Sequence, residues 1–406
     1  MDALINFSVK YLHARIWIPI WISVTFLTLP ISSSVKSFCF AIVIVDILFI
    51  PEYRADIVSL ISTKWCKATL LLFCIALVAC LWSPASFSQK AIVMEKYSKL
   101  IYLPILVVGL QNSKTRQYSI YAFLIAMIIT CGLSIFKYHG FLQSLTFAPD
   151  NVFRNHIITS FMVALGAYLS FLFSYRYHGH TRVLYGLLAL VFTYQILFVS
   201  GSRTGYIIYL LLLWILALQL CTWRQAMAGM LLVGTLFSGC YFVSPVMKTR
   251  VDDITRQITG FQHNHRDTDI GLRLQFHDYA YKLFKKHPLL GNGTASFTYY
   301  FDFEKPIAFW TWRLLEPHSQ YWLVAAEFGL LGVGALLYFF ISLIQASRRL
   351  DKTKFIAFAL IIPFMIGNLS DSLLFYSGSG YFFILFMALC LGEGFENDKK
   401  TLNITS

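Results

Sequence analysis

The sequence is short of charge: acidic and basic side chains together make up 13% of its residues, against 57% hydrophobic. A water-soluble core cannot absorb that much apolar surface, which excludes an ordinary globular enzyme and points to a polytopic membrane protein. Acidic residues are the scarcer sign, 20 against 33 basic, leaving a formal net charge of +13. The lysines and arginines lie in short loops between apolar runs rather than in one stripe, which excludes a nucleic-acid footprint and reads instead as a topology signal. The eight cysteines, at 39, 66, 74, 80, 131, 221, 240 and 390, fall mostly inside apolar segments, and none lies between Ser244 and Gln320. The one long polar interval therefore has neither a disulfide framework nor a zinc-type cluster. No internal repeat, heptad run or low-complexity tract is visible, and the first apolar stretch is followed directly by others, so no cleavable leader is expected. Paired, similarly interrupted spans are also missing, which counts against a transporter.

What is present is a series of apolar segments, at about 16–31, 35–50, 68–82, 99–110, 118–136, 157–173, 183–199, 205–222, 226–243, 321–344, 355–369 and 373–391. By length and hydropathy these predict an all-α membrane protein of about twelve helices, the fourth short and either tilted or re-entrant. An even count puts both termini on one side. Placing them in the cytoplasm collects Lys10, Arg15, Arg54, Lys64, Lys67, Lys114, Arg116, Arg176, Arg182, Arg224, Arg348, Arg349, Lys352, Lys354, Lys399 and Lys400 on the inside, and leaves Lys36, Lys90, Lys96, Lys137, Arg154 and Arg203 outside. The expected organisation is residues 1–243 with nine helices, 244–320 as one large periplasmic loop, and 321–406 with three helices and a cytoplasmic tail. Within the loop, 252–261 reads as polar and mobile. Residues 270–286 repeat apolar positions at helical spacing and end in three lysines, the pattern of an amphipathic helix at a membrane surface.

Four short motifs stand at the outward ends of these segments. A tight turn, Ser-Gly-Ser-Arg-Thr-Gly at 200–205, carries Arg203. A Gly-Leu-Arg-Leu helix start at 271–274 carries Arg273, and His-Pro-Leu-Leu-Gly-Asn-Gly follows at 287–293. Then Glu-Pro-His-Ser opens the tenth segment at 316–319 and leads to Glu327-Phe-Gly-Leu-Leu-Gly. Leu-Trp-Ser-Pro at 81–84, with Lys96 and Lys99 three apart on one helical face, precedes them. The order and spacing of this set resemble the O-antigen ligase family of bacterial inner-membrane glycosyltransferases, densely from about Asn151 to Gly334 and more thinly before.

The resemblance implies the broad architecture called GT-C. It also implies transfer of a polysaccharide from undecaprenyl diphosphate to a hydroxyl of the lipid A core at the periplasmic face, with inversion and with neither cofactor nor metal. The expected partners are thus a lipid-linked glycan donor, a lipid A core acceptor and membrane lipids, and no nucleic acid. An O-antigen polymerase and a protein O-oligosaccharyltransferase share the same motifs, and a flippase is the rival from another class. In this reading Arg203 and Arg273 match the family's arginines and bind diphosphate, a task suited to a planar fork that never loses its charge. His318 matches the catalytic histidine, able to accept a proton near neutral pH. Arg154, Lys96 and Lys99 extend the cationic site.

Structural roles compete with each of these assignments. Arg203 and Arg154 also suit interfacial anchors, Arg273 a solvated helix position, and His318 a backbone-bonded histidine. Glu327 lies nine positions after His318, about half a turn out of phase, and as a carboxylate inside the membrane it needs a partner, for which Lys99 is one candidate. Asp267 and Asp269 form an acid-x-acid motif in the loop, and it reads as solvated rather than as a metal site.

Overall fold

The computed structural model describes residues 16–142 and 149–405, and every regular element among them is helical. That is the expected answer to an apolar solvent, since a helix satisfies its backbone groups within one segment. Eight described helices are long and apolar enough to cross a membrane, or nine if the bent pair Ser33–Phe49 and Pro51–Leu60 is one span, and Ile18–Ile31 and Lys354–Gly367 are shorter apolar helices. Each of the twelve predicted segments falls on a helix. The fourth is not short: it is the apolar half of Phe87–Gly109, whose first half carries Lys90, Glu95 and Lys96 and so lowers the hydropathy without breaking the helix. Lys10 and Arg15, used in the topology argument, lie outside the described residues.

The chain divides into two compact units, each assembled from separated stretches: 1–50, 109–255 and 352–363 in the first, and 51–108, 256–351 and 364–406 in the second. At the centre of the first is His156–Arg176, 83% of whose apolar window is buried, against 6% for Trp223–Val243. The former packs on Gly179–Tyr194 and Arg203–Leu220, so its sequence is apolar or small all round, while the latter leaves its apolar surface for lipid. The buried Tyr168 hydroxyl is tied to Gln219 Oε1 at 2.6 Å and to the Phe355 carbonyl at 3.0 Å.

The second unit is built on Gln320–Ser347, which packs against Lys64–Val78 and Asp269–Lys286. This helix is broken at Gly329 (φ 63°, ψ −157°). A break inside an apolar helix strands backbone groups at a cost of several kcal/mol each, and here the loop that follows Pro288 takes them up. Leu330 and Leu331 donate to the carbonyls of Pro288 and Leu289 (2.8 and 3.2 Å), while Asn292 and Gly293 donate to those of Ala326 and Glu327 (3.1 and 2.8 Å). The two backbones meet so closely that a Cβ on Gly291 would lie 2.3 Å from the Glu327 carbonyl, and one on Gly329 would lie 2.5 Å from that of Leu289. The glycines of both motifs are thus two halves of one joint, which neither motif discloses alone.

The stretch read as polar and mobile is instead part of a helix, Pro245–Gln262. Met247, Val251, Ile254, Ile258 and Phe261 recur at spacings of four and three, so its charged residues occupy the other face. Asp269–Lys286 is helical as expected, started by Thr268, whose side chain accepts from the Gly271 N–H. It buries Phe276, Tyr279, Ala280 and Leu283, and the helix it packs on is Gln320–Ser347.

Candidate functional site

In the second unit, His318 sits two residues before its helix begins, in the left-handed region at φ 57°. A non-glycine residue held there costs about 1–3 kcal/mol, a strain that persists only where neighbours fix it. Its N–H donates to Glu316 Oε2 at 2.6 Å, and its carbonyl lies 3.1 Å from His277 Nε2. The imidazole stacks on Phe276, with ring centroids 5.9 Å apart. Two carboxylates share its Nδ1: Glu316 Oε1 and Asp371 Oδ1, each at 3.3 Å. With Nδ1–H directed at carboxylates, the lone pair of the neutral ring resides on Nε2, the arrangement of an oriented general base.

Each carboxylate is itself held. Glu316, 3% exposed, accepts from the Tyr376 hydroxyl through Oε1. Asp371, 1% exposed, has Oδ2 4.0 Å from Arg273 Nη2, and Arg273 Nη1 donates to the Ser370 carbonyl at 3.1 Å. Burial works against a charged His318, but the Asp371 hydrogen bond and the charges of Glu316 and Asp371 outweigh it, with Arg273 opposing, so the pKa lies above the ordinary histidine value of 6.5. His277 moves the other way: burial lowers its pKa, and the charges of His318 and Arg273 assist.

The turn bearing Asp371 and Tyr376 is pinned from two sides. Asn368 accepts the Gln320 N–H at 3.0 Å through its carbonyl and the Leu373 N–H at 2.9 Å through its side chain, and Gln320 Oε1 accepts from the Phe375 N–H at 3.0 Å. From the other side the buried Lys99 spends its ammonium on three carbonyls, those of Leu374, Phe375 and Tyr376, at 2.8, 3.0 and 3.0 Å. An ammonium has three donors, so Lys99 positions this turn. Lys96 lies 3.3 Å from Glu95 and 3.4 Å from the Ser377 hydroxyl. Glu327 instead turns its carboxyl group to the backbone of Ala295 and Phe297, where Ser296–Glu304 begins.

In the first unit, Ser202 caps the helix Arg203–Leu220 by accepting the Gly205 N–H at 3.0 Å, which places Arg203 at its first position. The preceding turn is fixed by Asp150, 3% exposed, which accepts from the Gly201 N–H at 2.8 Å and the Ser200 hydroxyl at 3.2 Å. Arg203 Nη2 lies 3.8 Å from Asp253 Oδ2. The Arg250 guanidinium covers Gly201, its Nε 3.0 Å from where a Cβ would stand. Arg154 bonds the Leu29 carbonyl at 2.9 Å and the Ser33 hydroxyl, the pattern of a helix-end anchor.

Asp371, Tyr376, His277, Asp150, Asp253 and Arg250 were not singled out in the sequence. Asp371 alone left a usable signal, as a carboxylate in a short turn between two apolar segments, where a charge needs a reason. The metal-like cluster among the described residues is not at Asp267 and Asp269 but at Glu316, His318 and Asp371, whose donor atoms all lie within 4.8 Å of one another. All four carboxylate oxygens there already face a protein partner: the His318 N–H, the Tyr376 hydroxyl, His318 Nδ1 and Arg273.

A histidine in the left-handed region is thus oriented by two buried carboxylates, one of which faces an arginine. Residues 188–339 match the family model described as O-antigen ligase, Wzy_C. The match spans Arg203, Arg273, the 287–293 loop and His318, and it supports the O-antigen ligase family, the one the motifs resemble. At that coarse level the match supports an enzyme. No curated protein matches the chain.

Proposed function

We propose that the protein is an inverting glycosyltransferase that moves O-antigen polysaccharide from undecaprenyl diphosphate to a hydroxyl of lipid A core at the periplasmic face of the inner membrane. The observation that carries this reading is His318, whose Nδ1 is given to Asp371 and Glu316 at 3.3 Å while Arg273 lies against the same Asp371. Nε2 then removes the proton of the attacking hydroxyl. The diphosphate needs only electrostatic help to leave, and we assign that to Arg203 and Arg273, which hold their present carboxylates at 3.8 and 4.0 Å. Pairs that long are readily exchanged for phosphate oxygens, which bind an arginine fork bidentately.

Metal independence is part of the proposal. Arg273 already supplies positive charge at Asp371, and a divalent ion would have to displace it together with the hydrogen bonds of His318 and Tyr376. The deciding experiment is reconstitution of the purified protein with undecaprenyl-diphosphate glycan and, separately, lipid A core, a second lipid-linked glycan and an acceptor protein, with identification of the product. A glycan joined to lipid A core supports the reading, a lengthened lipid-linked glycan makes the protein a polymerase, and movement of intact donor without a new glycosidic bond makes it a flippase.

A further inference from the structure

The second unit carries a cleft of ≈720 Å³ that the reaction above does not use, lined by Ser86, Ser88, Gln89, Phe301, Asp302, Lys305, Ala308, Trp310, Thr311, Trp312 and Arg313. Its outer wall is the segment 308–313, tethered at its ends by the buried Ile307 and Leu314 and closed by a turn in which the Trp310 N–H donates to the Ile307 carbonyl at 3.0 Å. Between those tethers Trp312 stands 77% exposed. An indole is expensive to leave in water, and its exposure on an anchored segment marks a surface kept for a ligand.

Three further features point the same way. The Trp310 indole N–H is buried with no hydrogen-bond partner, a debt that native structures rarely leave without a ligand or water to settle it. Asp302 and Arg313 pair at 3.4 Å while each side chain keeps more than a third of its surface exposed, so both planar groups retain free edges. Lys305 closes the helix Ser296–Glu304 in the left-handed region at φ 43°, a position normally given to glycine. Strain of this kind collects where a side chain is wanted for function.

The composition of the wall selects the ligand class. A cleft for an acyl or polyprenyl chain would be aliphatic, as is another groove in this protein, lined only by Tyr121, Leu124, Ile125, Ile128, Leu184, Tyr185, Leu187, Leu188 and Val191. The Trp312 cleft contains no leucine, isoleucine, valine or methionine. Tryptophan beside planar polar groups complements a pyranose, which offers an apolar C–H face and a rim of hydroxyls. A single ring separates the cleft from the reacting histidine: Phe276 lies edge-to-face on Trp310 at 5.1 Å and stacks on His318 at 5.9 Å.

We propose that this cleft is a saccharide subsite, in which Trp312 carries the apolar face of a sugar ring while Asp302, Arg313 and Lys305 bond its hydroxyls or acidic substituents. Assigning that saccharide to the substrates of His318 rests on the transferase reading, whereas binding itself does not. The test uses the full-length protein in nanodiscs and calorimetric titration with two lipid-free probes: core oligosaccharide released from lipopolysaccharide by mild acid, and delipidated O-antigen polysaccharide. At least one probe should bind, Trp312→Ala should weaken it at least about tenfold, about 1.4 kcal/mol, and Trp312→Phe should retain most of the affinity. Arg313→Ala should weaken it several-fold. The probe that responds tells acceptor sugars from donor sugars, and the matching KM should rise in Trp312→Ala. Absence of binding by both probes, or a correctly folded Trp312→Ala with wild-type affinity, overturns the subsite. His318→Ala separates the two claims: it should bind the probe as wild type and fail to transfer, and normal transfer by it would remove the transferase reading while leaving the subsite in place.

Discussion

The arginine turn of the first unit and the histidine cluster of the second solve the same problem, holding charge in an apolar protein, with different numbers of partners. Around Arg203 the cap is local, from Ser202, while the turn at Ser200 and Gly201 is bound by Asp150 from some fifty positions away. Around His318 one partner is local, Glu316 two positions away, while Arg273, Asp371 and Tyr376 come from two other stretches, and Lys99 from a further one ties down the turn that ends at Tyr376. A cation needed for binding is served by a rigid turn and a loose counter-ion. A base needs its ring orientation, tautomer and proton affinity set together, and that takes partners from several directions.

If that contrast is right, the largest effect belongs to the histidine. His318→Ala should bind lipid-linked donor and yet transfer at least about a hundred-fold more slowly, because proton removal belongs to the transition state. A folded variant turning over near the wild-type rate at saturating substrates would reduce His318 to an anchor. Next come the arginines: Arg203→Ala and Arg273→Ala should each cost about 3 kcal/mol of transition-state stabilisation and also weaken donor binding. Lysine should rescue each only in part, since a point charge cannot reproduce the fork. Full rescue by lysine at both positions would make them simple charge carriers.

A smaller effect should sharpen the comparison through pH. The base must be neutral to act, and Asp371 and Glu316 raise its pKa, so kcat/KM should rise with pH through a midpoint above 6.5. Asp371→Asn removes a raising charge and should move that midpoint down while lowering the plateau. An unmoved acid limb in Asp371→Asn would show that the limb reports another group. Arg154→Ala should change turnover only a few-fold while lowering thermal stability, since its two terminal nitrogens bond Ser33 and Leu29. A large loss of donor affinity in that variant would return Arg154 to the phosphate site. The smallest effect is expected from chelator and from Asp267→Ala with Asp269→Ala, both of which should leave transfer intact. Activity lost to chelator and restored by Mg²⁺ or Mn²⁺ would install a metal at Glu316, His318 and Asp371.

By itself the sequence determined the class of protein, the run of apolar helices and the residues on which chemistry is now argued, because span length, helical period and cap residues are local properties. Arg203, Arg273 and His318 stood out for the same reason, each inside a compact motif at or just before the start of a helix. Only the tertiary structure decided what those residues touch. Asp371 lies 53 positions after His318, and Lys99 reaches carbonyls some 275 positions away, distances over which no pattern in one chain signals contact. The candidate partnership of Lys99 with Glu327 gave way because Lys99 turns to the carbonyls of one turn and Glu327 to the start of a different helix. The glycines at 291 and 329 tell the same story in backbone: each looks like an ordinary helix breaker in sequence, and only packing shows that they let a loop and a broken helix share hydrogen bonds. Pairing of that kind depends on which surfaces meet, and that is decided by the whole fold competing to bury apolar area without leaving a polar group alone.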